Sequence, residues 1–330
     1  MTLSFTLSVE TRRWPLREPF TISRSTTSEA EGLVVILQDA FGYRGRGEGY
    51  GVNYAGETLA SMRNQVEAAR SIVEAGITRE ALLSVLPPGG ARCAIDTALW
   101  DLEAKRSGRS AFELAGIGSP APVETAYTIG IRSVGAYEAA ARKRGGFKCL
   151  KVKVDNRNPI DAIVAVRRGA PSAALIVDPN QAWTVDTLKS VAPHLVGLGV
   201  VLLEQPIEVG DEPGLDGYRC PVRLCADELI QDAADLFRAR GRFDVINIKL
   251  DKTGGLTEAL RLAEAARASG FGLMVGCMGG SSLSMAPALV LAQQCEFVDL
   301  DGPLLQAEDW DHGLSYRDGL IDLPDRTLWG

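Results

Sequence analysis

Cys149-Leu150-Lys151-Val152-Lys153-Val154 reads as a short strand bearing two lysines two residues apart, and its design, an apolar run ending in charge, recurs along the chain. Leu175-Ile176-Val177-Asp178, Val201-Leu202-Leu203-Glu204, Leu224-Cys225-Ala226-Asp227, Val245-Ile246-Asn247-Ile248-Lys249 and Phe297-Val298-Asp299-Leu300-Asp301 repeat it. Between 153, 178, 204, 227 and 249 the steps are 25, 26, 23 and 22 residues, room for one strand, one helix and two short loops. The candidate strands are 124–130, 149–154, 174–178, 199–204, 223–227, 244–249, 272–277 and 297–301, and eight is the number that closes a parallel α/β barrel. An open doubly wound sheet competes, but its ligand site lies at a single switch point, whereas the charged ends here are spread over at least six strands. In a barrel, that C-terminal end is where active sites are built.

Working outward, Ser133 is a candidate cap for a helix that closes on Arg142-Lys143-Arg144 and Gly145-Gly146, and Thr257 for one that ends before Gly270. Residues 1–120 lack the βα rhythm. They open with hairpin-like strands such as Gly32-Leu33-Val34-Val35-Ile36-Leu37 and continue into helices, including one with Ala91, Ile95, Ala98, Leu99 and Leu102 at helical spacing. The expected architecture is therefore α/β: an α+β capping domain over 1–120, a modified TIM (β/α) barrel over 121–309, and a segment 310–330 returning to the capping domain. Two loop-like stretches, 19–25 and 47–54, are expected to cover the barrel mouth.

Composition narrows the function classes. The net charge of −7 and the absence of a long basic cluster exclude an extended nucleic-acid surface. Six cysteines without CxxC pairs read as reduced thiols, and no apolar run reaches the roughly 18 residues of a membrane helix. A soluble cytoplasmic protein acting on a small molecule, with a homo-oligomer open, is the expectation.

Asp178, Glu204 and Asp227 end three successive strands, so a closed barrel would gather them, and three such oxygen donors suit a hard cation such as Mg²⁺. Each alone could equally cap the helix that follows. Lys151 and Lys153 share one side of their strand, and because helices cover a barrel's outside, the inward side is the consistent one. Desolvated beside a divalent cation, both amines are expected to favour the neutral form and serve as bases. Lys249 lies across the barrel, so two bases would face opposite sides of one carbon, the arrangement that inverts a stereocentre. The α-proton of a carboxylate is too weakly acidic for lysine alone, and a cation would stabilise the enediolate as charge develops. That pairing of a Lys base with Mg²⁺ is the general example known from enolase-type enzymes.

Lys151-Val152-Lys153, Val177-Asp178-Pro179-Asn180, Leu203-Glu204-Gln205-Pro206, Ala226-Asp227-Glu228 and Asn247-Ile248-Lys249-Leu250-Asp251-Lys252-Thr253-Gly254-Gly255 resemble the muconate-lactonizing subgroup of the enolase superfamily, most closely its dipeptide epimerases, from Pro19-Phe20-Thr21 to Asp301-Gly302-Pro303. The resemblance implies Mg²⁺ on Asp178, Glu204 and Asp227, with Lys153 and Lys249 as the acid/base pair. Lys151 would assist by neutralising the bound carboxylate and lowering the Lys153 pKa. It implies epimerisation at the second residue, as between L-Ala-D-Glu and L-Ala-L-Glu, consistent with recycling of cell-wall peptides. Asp299 and Asp301, on one side of the eighth strand by alternation, would hold the substrate ammonium. Arg24 would suit a glutamate γ-carboxylate, with Thr128, Cys277 and Met278 as further substrate contacts. Arg24 could instead be a surface residue. Asn180 and Glu228 read equally as partners of the metal ligands or as a turn residue and a structural acid, and Lys252 as a loop lysine.

Gly276-Cys277-Met278-Gly279-Gly280-Ser281-Ser282 precedes a helix and either holds an anion on its N–H groups or is only a tight turn. Met278-Gly279-Gly280-Ser281-Ser282 departs from some relatives, in which bulkier side chains are usual, and the room it leaves beside the substrate would widen specificity at either residue. His194 and His312, the only histidines, miss the strand ends, which argues against a Lys–His pair. A cycloisomerase or dehydratase with the same metal and bases, acting on a carboxylate without an amino group, is the runner-up. A non-catalytic binding barrel ranks last, because binding gives no reason for lysines on both sides of a metal.

Overall fold

The computed structural model describes residues 4–330. Phe5–Thr21, Thr26–Asp39 and Arg44–Tyr50 form an antiparallel sheet in that order. Alternation in the middle strand puts Leu33, Val35 and Leu37 on one face, where they join Met62, Val66 and Ile95 in a core of their own. The first pairing shifts register between Pro15 and Phe20, a stretch in which Pro15 and Pro19 lack the N–H a ladder needs. Helix Gly90–Ser107 lies directly on the third strand because Gly45, Gly47 and Gly49 alternate along it. A Cβ on them would stand 2.2, 2.2 and 2.0 Å from the carbonyl oxygens of Ala98, Ala94 and Gly90.

Eight parallel strands follow, each bonded to the next: Tyr127–Ile129, Cys149–Lys153, Ala174–Asp178, Val200–Glu204, Leu224–Ala226, Val245–Lys249, Gly272–Gly276 and Phe297–Val298. The sheet curls until its edges meet, the Ala126 N–H donating to the Val298 carbonyl at 2.8 Å. Inside, Ala126, Ile176, Leu202, Cys225, Val245 and Met274 plug the barrel. Two residues further along the same strands the inward positions are Thr128, Asp178, Glu204, Asp227, Asn247 and Gly276, so alternation alone converts an apolar floor into a polar mouth. Helices Val134–Arg142, Pro159–Gly169, Val185–Val196, Leu256–Ala268 and Ser282–Ala292 accompany these strands, with only one-turn segments after the fourth and fifth. Among the described residues no helix is long and apolar enough to cross a membrane.

Two caps differ from the sequence reading. Ser133 stands at the N-cap without a side-chain bond. Thr257 lies inside its helix, whose N-cap is Gly255, because it is tied to Asp96 through its N–H (3.0 Å) and its hydroxyl (2.5 Å). That tie joins helix Gly90–Ser107 to the barrel. Beside it, buried Arg92 donates to the carbonyls of Leu86, Thr253 and Gly254. At the other terminus, Trp329 donates to the Thr97 carbonyl and the Gly330 N–H to Asp101, whereas Leu320–Ile321 pairs with Val123–Glu124, just ahead of the first barrel strand.

Asp251 closes this joint by accepting the Tyr50 N–H at 2.8 Å, and burial pushes its carboxyl up to about 7. Asp96, also buried, is raised to about 6. A carboxyl raised on folding binds protons more tightly in the native state, so its stabilisation is complete below the unfolded pKa and is lost as pH rises through the folded one. Asp178 and Asp227, whose pKa values are lowered, act only at still more acid pH. The thermal midpoint of the metal-free protein is therefore expected to fall between pH 5 and 8, and Asp251→Asn to remove part of that slope, as melting curves across the range would measure.

Candidate active site

At the C-terminal ends of the strands, the hairpin tip of the N-terminal sheet closes over the barrel mouth. The Ile131 N–H donates to the Thr21 carbonyl at 2.8 Å, and Ser23 Oγ and Arg24 Nη1 donate to the Asn180 carbonyl at 3.2 and 3.1 Å. Beneath lies a cavity of about 590 Å³ lined by Arg24, Thr128, Lys151, Lys153, Asp227, Lys249, Cys277, Met278, Asp299 and Asp301. Asp178 and Glu204 are fully buried behind the lysines.

Strand pairing fixes the first cluster. Lys153 stands opposite Asp178 in the ladder and Lys151 one inward position deeper. Lys153 Nζ is 2.5 Å from Asp178 Oδ2, while Lys151 Nζ reaches Asp178 at 3.3, Glu204 at 2.8 and Asp299 at 2.7 Å. Because one ammonium touches carboxylates at the ends of the third and fourth strands and just past the eighth, those carboxylates converge. On the opposite wall, Lys249 Nζ is 2.7 Å from Asp227 Oδ2 and Lys252 Nζ is 2.6 Å from Asp227 Oδ1. The second strand, with Lys153, and the sixth, with Lys249, are four strands apart in a ring of eight, so the two amines enter from opposite sides.

Charge balance sets the protonation states. Burial opposes a charge on Lys151, but Asp299, Glu204 and Asp178 together push its pKa well above the ordinary amine value. Lys249 is likewise raised, Asp227 outweighing burial. In the metal-free site Lys151 and Lys249 thus sit charged against their carboxylates, and the neutral amines expected beside a divalent cation require that ion to offset the carboxylate charge. Burial also opposes ionisation of Asp178 and Asp227, yet the lysines hold both below the usual range. Glu204, fully buried and facing Asp178, is raised to about 7.

As the side chains stand, no group of three His, Cys, Asp or Glu among the described residues is arranged to hold a metal ion, the lysines filling the space. The donor set nevertheless fits a hard cation. Glu204 Oε2, Asn247 Oδ1, Asn180 Oδ1 and Glu228 Oε2 are buried and accept no hydrogen bond from the described residues, although Lys151 lies within ion-pair distance of the first. A surplus of buried oxygen acceptors around three carboxylates is what Mg²⁺ satisfies and what another N–H group would only partly cover.

Asp299 and Asp301 do not lie on the eighth strand, which ends at Val298; Asp301 starts the turn Gly302–Leu305. They still face one region, because Thr128 holds both: its hydroxyl donates to Asp299 Oδ1 at 3.1 Å and its N–H to Asp301 Oδ2 at 2.6 Å. Burial, and then the charge of Asp299, raise Asp301 to about 7, and no cation pairs with it among the described residues.

Arg24 is engaged rather than free, with Glu228 Oε1 at 2.8 Å and the Tyr54 ring 5.5 Å away. Asn180 serves both readings. Its backbone is left-handed (φ 46°), and its N–H and side-chain amide donate to Asp178 at 2.8 and 3.4 Å. Lys252 is no loop lysine: it is buried and donates to the Asp227 and Asn247 carbonyls at 2.5 and 3.0 Å. The signal for it was the Lys249-Leu250-Asp251-Lys252 spacing, which on a one-turn helix brings residue 252 back over the strand end. Asn247, which donates to Glu204 at 2.9 Å, was legible as the inward position before Lys249. The turn before Ser282 is no open anion site, since Tyr50 and Asp309 already take the N–H groups of Ser281 and Ser282. Cys277 faces the cavity as a thiol, burial pushing it up to about 12.

Residues 4–116 match the mandelate racemase / muconate lactonizing enzyme N-terminal domain, and 136–327 the enolase C-terminal domain-like family. The L-Ala-D/L-Glu epimerase of Escherichia coli K12 is 43% identical over 96% of this chain and 99% of its own length. Among solved structures, an enolase family member from Agrobacterium tumefaciens, crystallised with sodium and L-Ala-L-Glu, superposes with a TM-score of 0.96 at 42% identity, covering 99% of this chain and 100% of that one. A dipeptide epimerase from Enterococcus faecalis V583, in complex with Mg and L-Leu-L-Tyr, gives 0.91 at 28% identity, with 98% of each chain covered.

Proposed function

The chain belongs to the enolase superfamily, in its mandelate racemase / muconate lactonizing branch, and from that membership we propose that it is a Mg²⁺-dependent dipeptide epimerase inverting the α-carbon of the second residue, with L-Ala-D-Glu and L-Ala-L-Glu as its pair. It is an isomerase of amino-acid derivatives, as its named relatives are. The observation that carries the dipeptide reading is the buried Asp299–Asp301 pair, of which only Asp299 has a cationic partner. A free ammonium group completes the pair; an anionic substrate without one would gain little from it.

Asp178, Glu204 and Asp227 would hold the ion. When bound, Mg²⁺ would supply positive charge that acidifies the α-proton and offsets the carboxylates that raise Lys151 and Lys249. Lys153 and Lys249, on opposite walls, hold and return the proton on opposite faces of the carbon. Lys151, at the centre of the carboxylates, balances their charge and that of the substrate carboxylate. Thr128 orients the acid pair, and Lys252 anchors Asp227. Arg24 reaches the second residue's side chain only by exchanging Glu228 for it. We take residues 1–120 as the capping unit, 121–309 as the catalytic barrel and 310–330 as the returning segment. The six unpaired cysteines support work in the reducing cytoplasm, where such dipeptides come from cell-wall recycling.

Chiral separation of the products formed from L-Ala-L-Glu tests the proposal, with L-Ala-D-Glu as the expected product. Asp301→Asn, which removes the charge that receives the ammonium, is expected to lower kcat/KM by about 100-fold. Unimpaired dipeptide turnover in that variant would remove the acid pair as the reason for preferring a dipeptide, and failure of the wild type to form L-Ala-D-Glu would favour the cycloisomerase or dehydratase reading.

A further inference from the structure

Outside the lysine–carboxylate cluster, one buried polar side chain lines the cavity with nothing to bond. Gln306 is 1% exposed, and neither its Oε1 nor its Nε2 has a hydrogen-bond partner among the described residues. Its backbone is tied to its neighbours. The N–H donates to the Pro303 carbonyl, a bridge pairs the residue with Leu16 of the first strand, and the next N–H bonds Pro15. The side chain is therefore held at the cavity wall between two apolar residues that also line it, Leu16 and Leu305. A carboxamide in such a place costs stability unless something in the cavity bonds it.

Its position says what that is. The turn Gly302–Leu305 begins at Asp301 and ends at Gln306, so the residue stands one helical turn beyond the acid assigned to the substrate ammonium. Resting on the dipeptide reading, we propose that Gln306 is a specificity residue for the first residue of the substrate, admitting, beside alanine, a short side chain with a hydroxyl group such as serine. A hydroxyl both donates and accepts, which matches an amide with both functions open. An alanine methyl leaves the amide to water, for which a cavity of about 590 Å³ has room.

The test compares kcat/KM for L-Ser-L-Glu and L-Ala-L-Glu in wild type and in Gln306→Leu, which keeps the bulk and removes the hydrogen-bonding atoms. Gln306→Met serves as a second variant, and L-Ala-L-Glu turnover reports that each is folded. The serine-to-alanine ratio is expected to fall about tenfold in both variants. An unchanged ratio, with both dipeptides still turned over, overturns the proposal, the amide then being satisfied by water alone. Turnover of neither dipeptide by the wild type would overturn the dipeptide reading itself and this proposal with it.

Discussion

Lys153→Ala and Lys249→Ala are each expected to cut epimerisation of L-Ala-L-Glu by about 10³-fold or more, the usual weight of a positioned acid or base. The two amines enter from the second and sixth strands of an eight-strand ring, so neither can reach the face served by the other. Any α-proton exchange that survives in one variant should be confined to one epimer, and to the opposite epimer in the other. The fold should survive both changes, because neither leaves a carboxylate alone: Asp178 keeps Lys151 at 3.3 Å, and Asp227 keeps Lys252 at 2.6 Å. Product formation and deuterium wash-in for each epimer measure this directly. Exchange at both epimers in either variant would rule out the two-base scheme.

The second large effect is a separation of function from stability. Glu204→Gln is expected to reduce Mg²⁺ affinity by about 100-fold or more, with activity following. Its thermal midpoint without metal should be unchanged or higher near pH 8. Burial and Asp178 hold the Glu204 pKa at about 7, so its ionised form is disfavoured in the native state, and the neutral amide removes that penalty. Lys151 retains Asp299 and Asp178, and the new amide oxygen can still accept from Asn247. Calorimetric Mg²⁺ titration beside a melting curve reads both signs, and a large loss of stability would show that Glu204 is structural.

Much of this was legible in the chain because a barrel strand writes its inward face at every second residue. Lys151, Lys153, Asp178, Glu204, Asp227 and Lys249 could be placed from that alternation, and with them the barrel and its polar mouth. Where the backbone leaves the strand, alternation stops informing. Asp299 and Asp301 face the site through Thr128 rather than strand register, and Lys252 does so through a one-turn helix. Contacts between distant segments left no local mark: the Arg24–Glu228 pair spans 204 residues and the Asp96–Thr257 tie 161. The charge that Lys151 carries in the metal-free site has a similar origin, since the carboxylates that raise it, Asp299, Glu204 and Asp178, come from segments far apart in the chain.

Proton NMR of the purified enzyme with Mg²⁺ in D₂O, offered L-Ala-L-Glu, tests the central claim most directly. The account predicts deuterium at the α-position of the second residue, with L-Ala-D-Glu accumulating. Absence of exchange with metal bound and the fold intact would contradict it and point to a carboxylate substrate without an amino group.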